Sequence, residues 1–328
     1  MSSIAAYVRD VSSVAYTGAV SRRSRSIRVL AIAAASVVLL GAGVYGLVRY
    51  VVNYDRYRGF PPPTQVAGAA AGHVVRFTYA SPALGHSASA AIYLPPGYGA
   101  AARAGARFPT LYLLHAPPGS PLGYLTIGAL APRMDALIAR HQIRPFVVVI
   151  PDGHTSVDGN DTEWANAGAG RYESFVLDTV HAVDRAWATI PARGDRALAG
   201  LSEGGYGAAN VALHNLAAFG TFESWSGYFV QTPTYAFAGA SARLLAANSP
   251  NDYVGRLRSQ LSALPTYAFL YRGRSDRLTS HADTVTFLQR FRAAGGHVAM
   301  AEYRGGHNWA LWRARLPQML RFASEHFT

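Results

Sequence analysis

Between Val29 and Val48 the chain runs twenty residues without a charge, VLAIAAASVVLLGAGVYGLV. At about 1.5 Å per residue a helix of that length spans roughly 30 Å, the thickness of a bilayer's hydrocarbon core. Such a segment has three possible fates: it stays in lipid, it is removed as a leader, or it is covered by other protein. A signal peptide has an apolar core of about 7–15 residues with a small-residue cleavage site just beyond it. Here the core is longer, and Arg49-Tyr50 follows it. A buried helix needs a polar stripe or tertiary cover, and the run shows neither. The sequence therefore predicts an uncleaved transmembrane anchor over residues 29–50, with Tyr45 and Tyr50 near its distal end, where amphipathic rings favour the membrane interface. Arg9, Arg22, Arg23, Arg25 and Arg28 precede the span, whereas Arg49, Arg56 and Arg58 follow it closely. This bias puts the N-terminus inside and the rest of the chain outside the cytoplasm, as a single-pass protein of the cell membrane.

The basic charge reads as a codon bias that favours arginine rather than as a nucleic-acid-binding surface. The formal net charge is +12, carried entirely by arginine on the basic side, and +6 of it falls within the first 60 residues. The remainder holds no basic block, so no nucleic-acid partner is expected. With 50% hydrophobic residues the chain is not disordered. It has no cysteine, which excludes disulfide frameworks, thiolate metal sites and cysteine nucleophiles.

Four stretches follow from these patterns: a basic tail over 1–28, the anchor over 29–50, a linker over 51–72 and one domain over 73–328. The linker carries Pro61-Pro62-Pro63 and a small-residue tract from Ala67 to Gly72. His73 to Tyr79 and Ser89 to Leu94 alternate like strands. Thr110 to Leu114 and Phe146 to Ile150 are short apolar runs suited to strands buried on both faces. Helical spacing marks Ala129 to Arg140, Tyr172 to Trp187, Gly205 to Leu216, Asp283 to Ala294 and Trp309 to His326. Further strands are expected at Ala197 to Ala199, Tyr267 to Tyr271 and Ala299 to Tyr303. Alternation of this kind indicates an α/β fold with a mainly parallel central sheet flanked by helices.

Gly200-Leu201-Ser202-Glu203-Gly204 matches G-x-S-x-G between the predicted strand at 197–199 and the predicted helix from Gly205. That context is what the motif requires, since a sharp strand-to-helix turn exposes the serine at the end of the sheet. A serine hydroxyl needs a base, and the base needs an orienting acid. His307 lies in GGHNW just after the last predicted strand, and Asp276 follows the strand at 267–271. Asp283 is a rival acid that reads as a helix cap, and His154 and His281 are rival loop histidines.

From about Ile92 onward the chain resembles the putative-esterase family of α/β hydrolases, which takes in esterase-D-like S-formylglutathione hydrolases and the secreted mycolyltransferases. The resemblance rests on IYLPPGY (Ile92–Tyr98), LYLLH (Leu111–His115), VVIPDG (Val148–Gly153), YESFVLDTVHAVD (Tyr172–Asp184), GLSEGGYGA (Gly200–Ala208), SGYF (Ser226–Phe229) and GGHNWALW (Gly305–Trp312), in that order. It implies the α/β-hydrolase fold, with Ser202 as nucleophile, Asp276 as acid and His307 as base. Two departures stand out. The residue after the nucleophile, often apolar in the family, is Glu203, whose backbone N–H is one oxyanion donor. The family's His-Gly-x reads His115-Ala116-Pro117 here, and Pro117 has no N–H to complete the oxyanion hole. Ala116 is then expected as the second donor. Donation by Gly119, a substituting side chain or weak catalysis are the alternatives.

The polar segment Asp152 to Gly170 follows a strand's C-terminal end and reads as a substrate-side loop, with Asp161, Glu163 and Trp164 as contacts. It lacks the spacing of a calcium loop. No phosphate-binding glycine motif or metal-spaced histidine pair occurs, so neither cofactor nor metal is expected. The function read from the sequence is a membrane-anchored serine esterase acting on a small-molecule, lipid or sugar ester. A cell-envelope acyltransferase and a non-catalytic protein of the same fold are the alternatives.

Overall fold

The computed structural model describes residues 22–153 and 161–328. Helix α1 (Arg22–Tyr57) carries the apolar run. Its Ile27–Tyr57 stretch has a mean hydropathy of 2.2 over its most apolar window and exposes its side chains, so it is long and apolar enough to cross a membrane. The helix does not stop with the apolar run. It continues through Val51 to Tyr57, residues that the sequence reading places in the linker. The chain divides into two units, with the boundary between Asp55 and Arg56.

In the larger unit an eight-stranded sheet runs in the order β1-β2-β4-β3-β7-β8-β9-β10. The strands are β1 (His73–Ser81), β2 (His86–Leu94), β3 (Thr110–Leu114), β4 (Val147–Pro151), β7 (Arg196–Leu201), β8 (Thr221–Trp225), β9 (Tyr267–Gly273) and β10 (His297–Tyr303); β5 (Asn166–Ala167) and β6 (Gly170–Arg171) form a separate two-stranded ribbon. β1 and β2 pair antiparallel, as do β2 and β4, whereas β4-β3-β7-β8-β9-β10 are all parallel. This is the mainly parallel α/β architecture expected from the alternation of strands and helices.

Helices cover both faces. They are α2 (Tyr98–Arg103), α3 (Pro121–Thr126), α4 (Leu130–Ala139), α5 (Tyr172–Ala186), α6 (Glu203–His214), α7 (Ala242–Ala247), α8 (Pro250–Tyr253), α9 (Arg258–Ala263), α10 (His281–Ala293) and α11 (Trp309–Glu325). The period of two along a strand divides the core into two layers. Leu198 of β7 joins the layer of Phe175, Val176, Val211, Phe222 and Phe287, under α5, α6 and α10. Its neighbours Ala197, Ala199 and Leu201 join Leu130, Met134, Leu316 and Leu320, under α4 and α11. All six residues of β7 are buried, so the strand is fixed from both sides and delivers the segment after Leu201 to one place.

Some boundaries differ from expectation. α6 begins at Glu203, directly after Ser202, so the turn is tighter than the predicted helix start at Gly205 implies. β8 is a central strand that the sequence pattern does not reveal. The cap of α10 is Ser280, whose hydroxyl accepts the Asp283 N–H, so Asp283 is not the cap but a first-turn residue.

Candidate active site

The strand-turn-helix around Ser202 is strained in the way a nucleophile elbow requires. Ser202 sits at φ 55°, ψ −120°, backbone angles that a residue with a side chain seldom adopts. Three hydrogen bonds hold it there. The Ser202 N–H donates to the Trp225 carbonyl at 2.8 Å, and its own carbonyl accepts from Gly205 at 2.9 Å and Tyr206 at 3.0 Å. The flanking glycines are dictated by space. A Cβ on Gly200 would lie 2.2 Å from the Gly204 carbonyl oxygen, and one on Gly204 would lie 2.1 Å from that of Leu114.

His307 reaches the serine from the loop between β10 and α11. Its Nε2 lies 2.7 Å from Ser202 Oγ and its Nδ1 lies 2.9 Å from Asp276 Oδ2. Asn308 fixes the loop by capping α11, where its side chain accepts the N–H groups of Ala310 and Leu311. Trp312 meets the imidazole edge-on, with ring centres 5.1 Å apart. Asp276 stands on the turn after β9. Its Oδ1 accepts the N–H groups of Leu278 (2.9 Å) and Thr279 (3.2 Å), and Thr279 Oγ1 donates to Oδ2 at 3.0 Å. Burial alone would raise the Asp276 pKa. The hydrogen bond and charge of His307, together with the two N–H groups, outweigh it and hold the pKa at about 2. A hydroxyl bonded to an imidazole that is backed by a buried carboxylate can pass its proton to the ring as it attacks an electrophile.

The rivals stand elsewhere. His281 is exposed and lies 3.3 Å from Glu302. Asp283 lies within α10. His154 falls outside the described residues.

The expected oxyanion donors converge on the same end of the sheet. Glu203 is the first residue of α6, where backbone N–H groups have no partner within the helix and favour negative charge. After β3, the Gly119 N–H donates to the Ala116 carbonyl at 2.7 Å, closing a turn around Pro117 and Pro118. Gly119 is thereby spent, and of these four residues only Ala116 keeps an N–H that the turn does not use.

The segment read as a substrate-side loop behaves differently from expectation. Asp161 is partly exposed, but Glu163 and Trp164 are 3% and 1% exposed and turn inward. The Glu163 carboxylate accepts from the Tyr228 hydroxyl and from Gln231 Nε2 (2.8 Å), residues that sequence reasoning did not single out for the site. The SGYF motif (Ser226–Phe229) contains Tyr228 and is its one signal in the sequence. Burial, and then the charge of Asp161, raise the Glu163 pKa to about 7 against those two hydrogen bonds. Glu203 is 4% exposed. Burial, a hydrogen bond to Asp161 and the charges of Asp161 and Glu163 push its pKa well above the carboxylate range. That shift favours the protonated form of the side chain next to Ser202. Among the described residues no group of three His, Asp or Glu side chains is placed to hold a metal ion.

The model of the family described as "Putative esterase" matches residues 81–323. An endo-1,4-beta-xylanase/feruloyl esterase of Xylanibacter ruminicola is 32% identical over 161 residues, 48% of this chain but only 22% of that protein. Among solved structures, a ferulic acid esterase superposes with a TM-score of 0.69 at 25% identity, covering 78% of this chain and all of the other. An S-formylglutathione hydrolase from Agrobacterium tumefaciens superposes at 0.64 with 14% identity, covering 82% of this chain and all of the other, a likeness of fold.

Proposed function

The chain belongs to the putative esterase family and is an ester-hydrolysing serine hydrolase, and from that premise we propose that it works through an acyl-enzyme on Ser202 at the outer face of a membrane. The observation that carries this reading is the hydrogen-bonded series Ser202–His307–Asp276 on a strained elbow.

Ser202 Oγ attacks the ester carbonyl as its proton moves to His307 Nε2. Asp276 holds the Nδ1–H, which keeps Nε2 free to accept, and stabilises the imidazolium. The charge that forms on the carbonyl oxygen is met by the N–H groups of Glu203 and Ala116. His307 then returns its proton to the departing alcohol. Water then attacks the acyl carbon as His307 takes its proton, and His307 passes that proton to Ser202 Oγ as the acyl–Oγ bond breaks and the acid leaves.

Residues 29–50 anchor the chain, with the N-terminus inside. The length of α1 and the arginine bias around the span support this. The Xylanibacter ruminicola relative's name points to an aromatic acyl group, which makes methyl ferulate the first substrate to try. The direct test is labelling with a fluorophosphonate probe alongside hydrolysis of methyl ferulate and a p-nitrophenyl ester. Wild-type protein should label and turn over, and Ser202→Ala should do neither. Labelling that survives Ser202→Ala would assign the nucleophile elsewhere.

A further inference from the structure

Trp164 is the one large aromatic in a polar stretch, and the structure builds a complete seat for it under the loop that carries Ala116. Two successive residues, Glu163 and Trp164, lie at φ 52° and 47°, a left-handed pair that side-chain-bearing residues seldom form. The strain is held by named contacts. Tyr228 and Gln231 grip the Glu163 carboxylate. The Glu163 N–H donates to Asp161 Oδ1 and the Trp164 N–H to Thr162 Oγ1, each at 3.3 Å.

Space is left for the ring at two glycines on different elements. A Cβ on Gly153, just past β4, would lie 2.4 Å from the indole Cη2. One on Gly207, in α6, would lie 2.6 Å from Trp164 Cβ. Seated there, the ring does one directed thing. Its Nε1–H donates to the His115 carbonyl at 2.9 Å. The His115 ring is held as well, since its Nε2 accepts the Gly153 N–H at 3.2 Å and its edge meets the indole, centres 5.1 Å apart.

The His115 carbonyl and the Ala116 N–H belong to one planar peptide and point in opposite directions. Whatever fixes the first fixes the second. Pro117 and Pro118 have no N–H, and that of Gly119 is spent on Ala116, so the direction of the Ala116 N–H decides whether this loop contributes to the oxyanion hole. We propose that Trp164 is a positioning residue for catalysis: its indole N–H locks the His115–Ala116 peptide so that the Ala116 N–H meets the oxyanion. The proposal rests on the serine-esterase reading above, and it gives Trp164 a role without contact to substrate.

Trp164→Phe keeps an aromatic ring and removes the donor. The readouts are kcat and KM on a p-nitrophenyl ester and affinity for an aryl trifluoromethyl ketone, which forms a charged tetrahedral adduct with serine. A donor that acts in the transition state shows in kcat rather than KM. We expect kcat to fall about tenfold or more with KM within about twofold, and the ketone to bind more weakly by the same factor as kcat falls. Replacing Trp164 with benzothienylalanine, which matches the indole in shape but lacks the N–H, should reproduce the loss. This second variant decides the matter if the smaller Phe ring unsettles the fold. An unchanged kcat in a folded variant, or a loss of kcat without weaker ketone binding, overturns the proposal. A parent without Ser202-dependent turnover sinks the serine-esterase reading and this proposal with it. A parent that turns over beside unaffected variants sinks the Trp164 assignment alone.

Discussion

Ser202 Oγ and His307 Nε2 lie 2.7 Å apart although 105 residues separate them in the chain. The contact depends on two strand ends, those of β7 and β10, which are not neighbours in the sheet. The loop after β10 must therefore reach across β8 and β9, and Asn308 and Trp312 hold it in place.

If the three side chains act as one unit, their losses should not add. Ser202→Ala and His307→Ala are each expected to lower kcat by roughly 10⁴-fold or more, and the double variant should be no worse than either. Asp276→Asn should lose less, by roughly 10³–10⁴-fold. Asp283→Asn, in the first turn of α10, should stay within about twofold because its side chain touches none of the three. Steady-state kinetics on folded protein checks the set. A damaging Asp283→Asn beside a neutral Asp276→Asn would move the acid to position 283.

The elbow and its partners were legible because each combines a local pattern with a position at a strand's end. Ser202, Asp276 and His307 all follow apolar runs that read as strands. β8 was not legible. Thr221-Phe222-Glu223-Ser224-Trp225 places a carboxyl and a hydroxyl in a fully buried strand, which breaks any apolar run. The start of α6 is hidden in the sequence because Gly204 and Gly205 are poor helix formers, and their place in the helix is fixed by contact with β3 and β8. Trp164 misled for a related reason. Asp161, Glu163 and Asn166 around it read as a substrate-side loop, while one of the residues that seat it, Gly207, lies beyond the elbow in α6.

Glu163 should make the protein less stable as pH rises. Its pKa is near 4.5 when unfolded and about 7 when folded, so the native state holds a proton that the unfolded chain gives up. Stability from this group is complete below about pH 4.5 and is lost as pH rises towards 7. The difference amounts to about 3 kcal/mol at most. Glu163→Gln stays neutral, can still accept from Tyr228, and should lose that decline. In urea unfolding at pH 5 and pH 8, the gap between the two pH values should shrink in the variant. An equal gap in both proteins would mean that Glu163 ionises normally.

Retention of the anchor predicts both mass and topology. Intact mass of membrane-extracted protein should include residues 29–48. Protease added to spheroplasts should cut beyond Pro61 without lysis. A mature start after residue 48 would make the segment a leader, and cleavage only after lysis would put the catalytic domain inside.

The turn from Ala116 to Gly119 decides how the oxyanion hole is completed. Two donors usually meet the charge of a tetrahedral intermediate, and losing one costs roughly 10²–10³ in rate. Pro117 stands where the family has its second donor, so Pro117→Ala adds an N–H at that place. If Ala116 already supplies the donor, the variant should keep kcat within about threefold. Gly119→Ala acts in the opposite sense. Its Cβ would lie 2.5 Å from the Ala116 carbonyl oxygen, so the turn must open and the Ala116 peptide must move. We expect kcat to fall by about tenfold or more with a smaller change in KM, since the interaction disturbed belongs to the transition state. Thermal unfolding recorded beside the kinetics separates this from a general loss of fold. A tenfold rise in kcat for Pro117→Ala would show that the hole lacks a donor in the natural chain. Ala116 would then not be the donor, and Trp164 would have no oxyanion peptide to position.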